Sequence, residues 1–222
     1  MLKETADHRI KSRNHNDLII DIDKNQTWTD EELEILTTSF FQSLDTHAVE
    51  LFNAWTDKSD YCSLKVSTYF QAYSDQLYRY RGKKCTLVEI GVMEGGSLLA
   101  WKEWLGPDAR IIGIDINHET KALERKGVEI IIGNQSDPLF WKEFFNDNPD
   151  IDIIIDDGGH QYFQQALTFY NILCHSKKRL QFIIEDTSTS FFSSFLEQNK
   201  ESFVSLMKQV VDNLNLKKIF SK

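Results

Sequence analysis

Ile151-Asp152-Ile153-Ile154-Ile155-Asp156-Asp157-Gly158-Gly159-His160 is the stretch that decides the fold. Four of its first five residues are isoleucine, a β-branched side chain that packs well on a pleated surface, so the run reads as a buried strand. It ends in two carboxylates, a glycine pair and an imidazole. In an open α/β sheet, ligands bind outside the carboxyl ends of the strands, where loops hold polar groups that a strand interior cannot accommodate. Asp156, Asp157 and His160 fall at such an end. A second apolar run, 181–184, leads into Glu185 and Asp186, so two strands deliver acidic pairs to one edge. Two unit charges about 4 Å apart repel by roughly 4 kcal/mol at an effective dielectric near 20. Protons or a cation must relieve that repulsion, and a metal ion is the economical answer.

Working outward, apolar strands and amphipathic helices alternate from 84 onward. Strands are expected at 86–90, 110–114, 128–132, 151–155 and 181–184, and helices at 97–105, 119–125, 138–146 and 161–174, with a last helix within 191–214. Strands with continuous apolar runs, separated by helices, specify a doubly wound, mostly parallel α/β sheet of the Rossmann-like kind. Two domains are expected: a helical N-terminal extension, 1–83, and an α/β domain, 84–222.

The first strand-to-helix turn carries a cofactor signal. In Glu89-Ile90-Gly91-Val92-Met93-Glu94-Gly95-Gly96-Ser97, glycines stand where backbone turns sharply and approaches a ligand, just ahead of a helix N-terminus. The dinucleotide fingerprint Gly-x-Gly-x-x-Gly is absent, and Glu89 would repel a phosphate. It can hold an ammonium group, which points to the amino-acid part of S-adenosylmethionine. Asp115, twenty-four residues after Gly91, is near the spacing at which a carboxylate takes ribose hydroxyls. Gly133-Asn134-Gln135-Ser136-Asp137 ends the third strand, with two readings open: Gln135 and Ser136 frame an adenine edge, or Ser136 or Asp137 caps the helix opened by Pro138.

The N-terminal region reads as helical from Thr29, where Thr29-Asp30-Glu31-Glu32 fits a capping box. That helix is expected to break at 43–46 and resume to Trp55, and Leu64, Val66, Phe70, Tyr73, Leu77 and Tyr80 mark another ending at Gly82. Leu18 to Ile20 reads as an edge strand or a docking arm. Tyr69, Tyr73 and Tyr80 either pack against the core or line a pocket, with packing favoured.

Composition excludes several functions. Thirty-four acidic against 25 basic residues give a net charge of −9, and no basic cluster tracks a phosphate backbone, so nucleic acid is not an expected partner. The N-terminus lacks an apolar signal core and no window is apolar enough to span a membrane, so a cytoplasmic protein with no membrane partner is expected. Cys62, Cys85 and Cys174, odd in number and widely spaced, form neither a disulfide framework nor a zinc knuckle.

Leu87-Val88-Glu89-Ile90-Gly91, Gly95-Gly96-Ser97, Gly113-Ile114-Asp115, Gly133 to Asp137, Asp156 to His160 and Ile184-Glu185-Asp186 together resemble the metal-dependent, S-adenosylmethionine-dependent sugar O-methyltransferases, including the macrolide methyltransferases and the cephalosporin hydroxylase family. Asp57-Lys58 also resembles a segment that precedes the core there. The resemblance implies a class I fold, S-adenosylmethionine and Mg²⁺ as cofactors, the metal on Asp157, Glu185 and Asp186, and His160 as general base. It implies a cofactor site drawn from Glu89, Gly91, Gly95, Ser97, Asp115, Gln135, Ser136 and Asp156, although Asp156 has the alternative of stabilising the Gly-Gly turn. The implied acceptor is a hydroxyl of a sugar or glycoside, or another small molecule. Thirty-six residues follow Asp186, whereas the family's fold usually adds two further strands, so that pair is expected to be missing and the open sheet edge to favour a homo-oligomer. The alternative is a catalytically inactive cofactor-binding or assembly protein of the same fold.

Overall fold

The computed structural model describes residues 9–11, 19–20, 42, 44–56, 64–66, 68–125, 127–196 and 201–220. The capping box at 29–32, most of the helix expected after it, Asp57-Lys58 and Cys62 lie outside them. The chain divides into two compact units, one of Met1–Cys85, Val92–Gly113 and Glu119–Ile130, the other of Thr86–Gly91, Ile114–His118 and Ile131–Lys222.

In the first unit, β1 (Arg9–Lys11), β2 (Ile19–Ile20) and β3 (Leu64–Val66) form a small antiparallel sheet with β2 and β3 on either side of β1. Ile19 and Ile20 therefore do sit on an edge strand. The helix expected to start at Leu64 does not: Val66 pairs with Arg9 and Leu64 with Lys11. The two-residue step from Leu64 to Val66 has strand periodicity, and only the residues beyond it have helical spacing. Helix α1 (Thr46–Thr56) opens where Asp45 Oδ1 accepts the Ala48 N–H at 2.7 Å, and α2 (Tyr69–Leu77) ends in a 3₁₀ turn, Tyr78–Tyr80. Trp101 packs edge-on against Trp55 and Tyr73, with ring centroids 5.2 and 4.9 Å away. The packing alternative thus describes Tyr73.

Five strands, β4 (Cys85–Ile90), β5 (Ala109–Asp115), β6 (Val128–Ile132), β7 (Ile153–Asp156) and β8 (Gln181–Ile184), form one sheet in the order β6-β5-β4-β7-β8. The chain steps outward from β4 to β6 and then returns to the other side of β4, so the strand order reverses between β4 and β7. A doubly wound sheet opens a ligand crevice at such a reversal. β7 runs parallel to both neighbours, and Ile153, Ile154 and Ile155 are fully buried. The helices among these strands are α3 (Gly96–Leu105), α4 (Pro138–Asp147), α5 (Tyr162–His175) and α6 (Phe203–Phe220). The segment expected as a helix over 119–125 is a 3₁₀ stretch, His118–Leu123; it offers no apolar stripe to anchor a longer helix. The expected last helix begins only at Phe203, after 3₁₀ turns at Thr187–Phe191 and Ser193–Phe195. β8 is half-buried along its length at the edge of the sheet. Among the described residues, no helix is long and apolar enough to cross a membrane.

Candidate functional site

Strand register brings the acidic residues together. Ile90 lies opposite Asp156, and Asp156 opposite Ile184, so Gly91, Asp157 and Glu185 follow at one level. The Asp157 N–H donates to the Ile90 carbonyl at 3.0 Å and the Glu185 N–H to the Asp156 carbonyl at 2.9 Å. Side chains alternate along a strand, which sends Glu89, Asp157 and Glu185 to one face and Asp156 to the other. One ligand-capable oxygen from each of Glu89, Asp157 and Glu185 lies within 4.8 Å of the others, and so does one atom from each of Asp157, His160 and Asp186. Asp157 belongs to both groups. The trio Asp157, Glu185 and Asp186 expected from sequence is thus distributed over two groups that share Asp157. Glu89, read from sequence as an ammonium holder, joins the first. It stands two residues before Gly91 and therefore on the same face, but only the strand registers bring it to Asp157 and Glu185. Glu89, Glu185 and Asp186 are buried and Asp157 is half-buried. The carboxylate oxygens of these groups form a donor set that fits a hard divalent cation.

Asp186 is set against His160 by unusual backbone. Asp186 adopts φ 52°, ψ 33°, the left-handed region that L-residues other than Asn and Asp seldom visit. This turns its side chain out of the strand alternation and towards His160, whose Nε2 lies 3.5 Å from Asp186 Oδ2. Thr189 fixes the turn, donating from Oγ1 to the Asp186 carbonyl at 2.8 Å, with the His160 carbonyl 3.4 Å from the same atom. Sequence reading missed Thr189, although a hydroxyl three residues past an acidic strand end is a turn signal. The Nδ1 atom of His160 is buried without a hydrogen-bond partner among the described residues, so Nε2 is the nitrogen turned to the carboxylates.

Behind the strand, Asp156 is 1% exposed and Gln135 7%. Gln135 Nε2 donates to both oxygens of Asp156, at 3.2 and 3.4 Å, and to Thr168 Oγ1 at 3.2 Å, while its Oε1 accepts the Gly159 N–H at 2.6 Å. Burial pushes the Asp156 carboxyl up to about 7, against the lowering effect of hydrogen bonds from the Gly158 N–H and Gln135. Both polar ends of the Gln135 amide are engaged inside the protein, and Asp156 braces the Gly-Gly turn, the second of its two sequence readings. Thr168 and Gln165 lie on the buried side of α5, where Gln165 Nε2 donates to the Glu185 carbonyl at 3.4 Å. Their spacing of three marks a helix face, and that face is polar where it meets the acidic strand ends.

The remaining expected cofactor residues are placed as follows. Gly91 takes φ 88°, and a Cβ there would overlap the Asp157 carbonyl, so this glycine permits contact between β4 and the acidic turn. Asp115, half-buried at the end of β5, accepts the Asn117 N–H on Oδ1 at 2.8 Å. Asp137, and not Ser136, caps α4, accepting the Leu139 N–H at 2.9 Å; Ser136 is half-buried beside it, its N–H held by Asn134 Oδ1 at 2.8 Å. Gly95 and Ser97 belong to the other unit, Gly95 as the left-handed N-cap of α3 with φ 79° and Ser97 buried in its first turn.

No protein-family model matches the chain. The chain is 28% identical over 160 residues to the 8-demethyl-8-alpha-L-rhamnosyl tetracenomycin-C 2'-O-methyltransferase of Streptomyces olivaceus, a match covering 68% of this chain and 42% of that protein. It is 29% identical over 159 residues to the demethylmacrocin O-methyltransferase of Streptomyces fradiae, covering 66% of this chain and 40% of that one. It therefore resembles the sugar O-methyltransferases while spanning about two fifths of the length of these relatives. Among solved structures it is similar to the MycE methyltransferase of the mycinamycin biosynthetic pathway in complex with Mg and SAH, with a TM-score of 0.64, 22% identity, and coverage of 82% of this chain and 56% of that chain. That likeness shows the fold, a Rossmann-like α/β sheet.

Proposed function

We propose that the chain carries the metal and base site of an S-adenosylmethionine-dependent, Mg²⁺-dependent O-methyltransferase acting on a hydroxyl of a sugar or glycoside. The observation that carries this reading is the position of Asp157 in two overlapping groups of ligand-capable atoms at the strand-order reversal, with His160 in one of them. Asp157, Glu185 and Asp186 would hold the cation, Asp157 being common to both groups. Glu89, Gly91 and Asp115 would face the cofactor. When bound, S-adenosylmethionine supplies an activated methyl group and Mg²⁺ polarises the acceptor oxygen. His160 accepts the acceptor's proton at Nε2, with the Asp186 carboxylate 3.5 Å away as countercharge. The backbone turns at Gly158-Gly159 and at Asp186 hold base and carboxylates in fixed relation, which is where most of the rate advantage of a pre-assembled site arises. The glycoside acceptor is supported by the names of the relatives. A homo-oligomer completes the reading, supported by the half-buried edge strand β8 and the exposed Phe191 and Phe192 beyond it.

Isothermal calorimetry with S-adenosylmethionine and its demethylated product, with and without Mg²⁺, on the wild type and Asp157→Ala, tests this. The expected outcome is cofactor binding plus a distinct Mg²⁺ site that the substitution abolishes. Cofactor binding with no Mg²⁺ site would sink the mechanism and favour an inactive module of the same fold.

A further inference from the structure

We propose that Gln135 is a positioning residue for the 157–160 turn, an amide clamp that fixes where Asp157 and His160 stand. For its catalytic consequence this assignment rests on the methyltransferase reading; its geometry does not. A backbone N–H can only donate, so the atom 2.6 Å from the Gly159 nitrogen must be Gln135 Oε1. That assignment points Nε2 at the Asp156 carboxylate and at Thr168 Oγ1. The two residues held, Asp156 and Gly159, bracket Asp157-Gly158, and Gly159 immediately precedes His160. A Cβ at Gly158 would collide with Gln135 Oε1, so the amide lies flush against the turn it holds.

The clamp is itself anchored. The Gln135 carbonyl accepts the Trp141 Nε1–H at 2.9 Å, and Trp141 is fully buried in α4. A fixed path therefore runs from α4 through the amide to the acidic turn. Without it, two consecutive glycines would give that turn the widest conformational freedom the backbone allows. Because Asp156 faces away from the two ligand groups, Gln135 acts from the far side of the strand and touches neither cation nor acceptor. Partners that orient ligands from behind in this way commonly matter to affinity and rate almost as much as the ligands themselves.

The test uses the full chain with Gln135→Met, which keeps side-chain volume and removes both halves of the clamp, and Gln135→Glu, which keeps an acceptor for Gly159. In protein free of metal and cofactor, hydrogen exchange of the Gly159 amide read by NMR is expected to accelerate about 10- to 100-fold in Gln135→Met. Gln135→Glu is expected to restore most of the protection. Calorimetry is expected to show Mg²⁺ binding weakened by about 10- to 100-fold in Gln135→Met and S-adenosylhomocysteine binding unchanged; in turnover, kcat falls and the cofactor KM stays. Unchanged Gly159 exchange in Gln135→Met overturns the clamp whether or not the chain methylates anything. Loss of S-adenosylhomocysteine affinity with Mg²⁺ affinity intact overturns it too, and makes Gln135 a cofactor contact. If the wild type binds neither Mg²⁺ nor cofactor, the methyltransferase reading fails, and Gly159 exchange still decides on the clamp. Should Gln135→Met not fold, Thr168→Val loosens Nε2 alone; a several-fold acceleration at Gly159 is then expected, and no acceleration overturns the assignment.

Discussion

Asp156 is a carboxylate held almost wholly out of water. It lies on the sheltered face of the strand, and loss of water there raises its carboxyl from an ordinary value of 3.8 to about 7. Between those two values the folded protein holds a proton that the unfolded chain has released. Native-state protons in excess mean that stability falls as pH rises from about 4 to about 7 and levels off beyond, by an amount on the order of a few kcal/mol. In metal-free protein, the advantage of Asp156→Asn over the wild type in thermal unfolding is expected to grow from pH 5 to pH 8. A difference independent of pH would show that Asp156 does not titrate in this window.

Among the elements, α4 is where local chemistry and packing coincide. Asp137 supplies the N-cap, Pro138 the first helical position, and Trp141 a fully buried ring packed against Phe140, Phe144 and Phe145 at centroid distances of 5.4 to 5.8 Å. Asp137→Ala is expected to cost about 1 kcal/mol, and Trp141→Ala roughly 3–5 kcal/mol, both readable by urea unfolding with far-UV dichroism. The larger loss includes the anchor of Gln135. α4 was also easy to read from sequence, because cap, proline and aromatic stripe are all local signals. So were β4 to β8: their apolar runs lie within two residues of the expected bounds. Leu64 and Val66 misled because apolar residues two apart fit a helix stripe when the next apolar residue happens to fall in phase, and only pairing with β1 decides otherwise. In the site, the acidic strand ends were legible because carboxylates interrupt apolar runs. The pairing of Glu89 with Asp157 and Glu185 needed the register of three strands. The engagement of Gln135 with Gly159, twenty-four residues away, leaves no trace in spacing at all, since its partner is a backbone N–H.

Taken as a whole, the molecule carries a net charge of −9, and part of that excess is concentrated where Glu89, Asp157, Glu185 and Asp186 meet. A cation bound there by the folded chain and not by the unfolded one stabilises the protein by about 2.7 kcal/mol at a hundred times its dissociation constant. For a chain of this length that is roughly 5–10 °C in Tm. Thermal melts in saturating Mg²⁺ against chelator are expected to show such a rise in the wild type and none in Asp157→Ala; equal midpoints in the wild type would remove the case for a folded-state cation. The contact between Gly91 and the Asp157 carbonyl adds a constraint of another kind. In the proposed site one residue would face the cofactor and the other would belong to the cation group, with no side chain to cushion them, so binding events on the two sides would share one energy surface. Thermodynamic reciprocity then requires that whatever factor Mg²⁺ applies to cofactor affinity, cofactor applies to Mg²⁺ affinity, and a replacement at Gly91 would change a single number measurable from either direction.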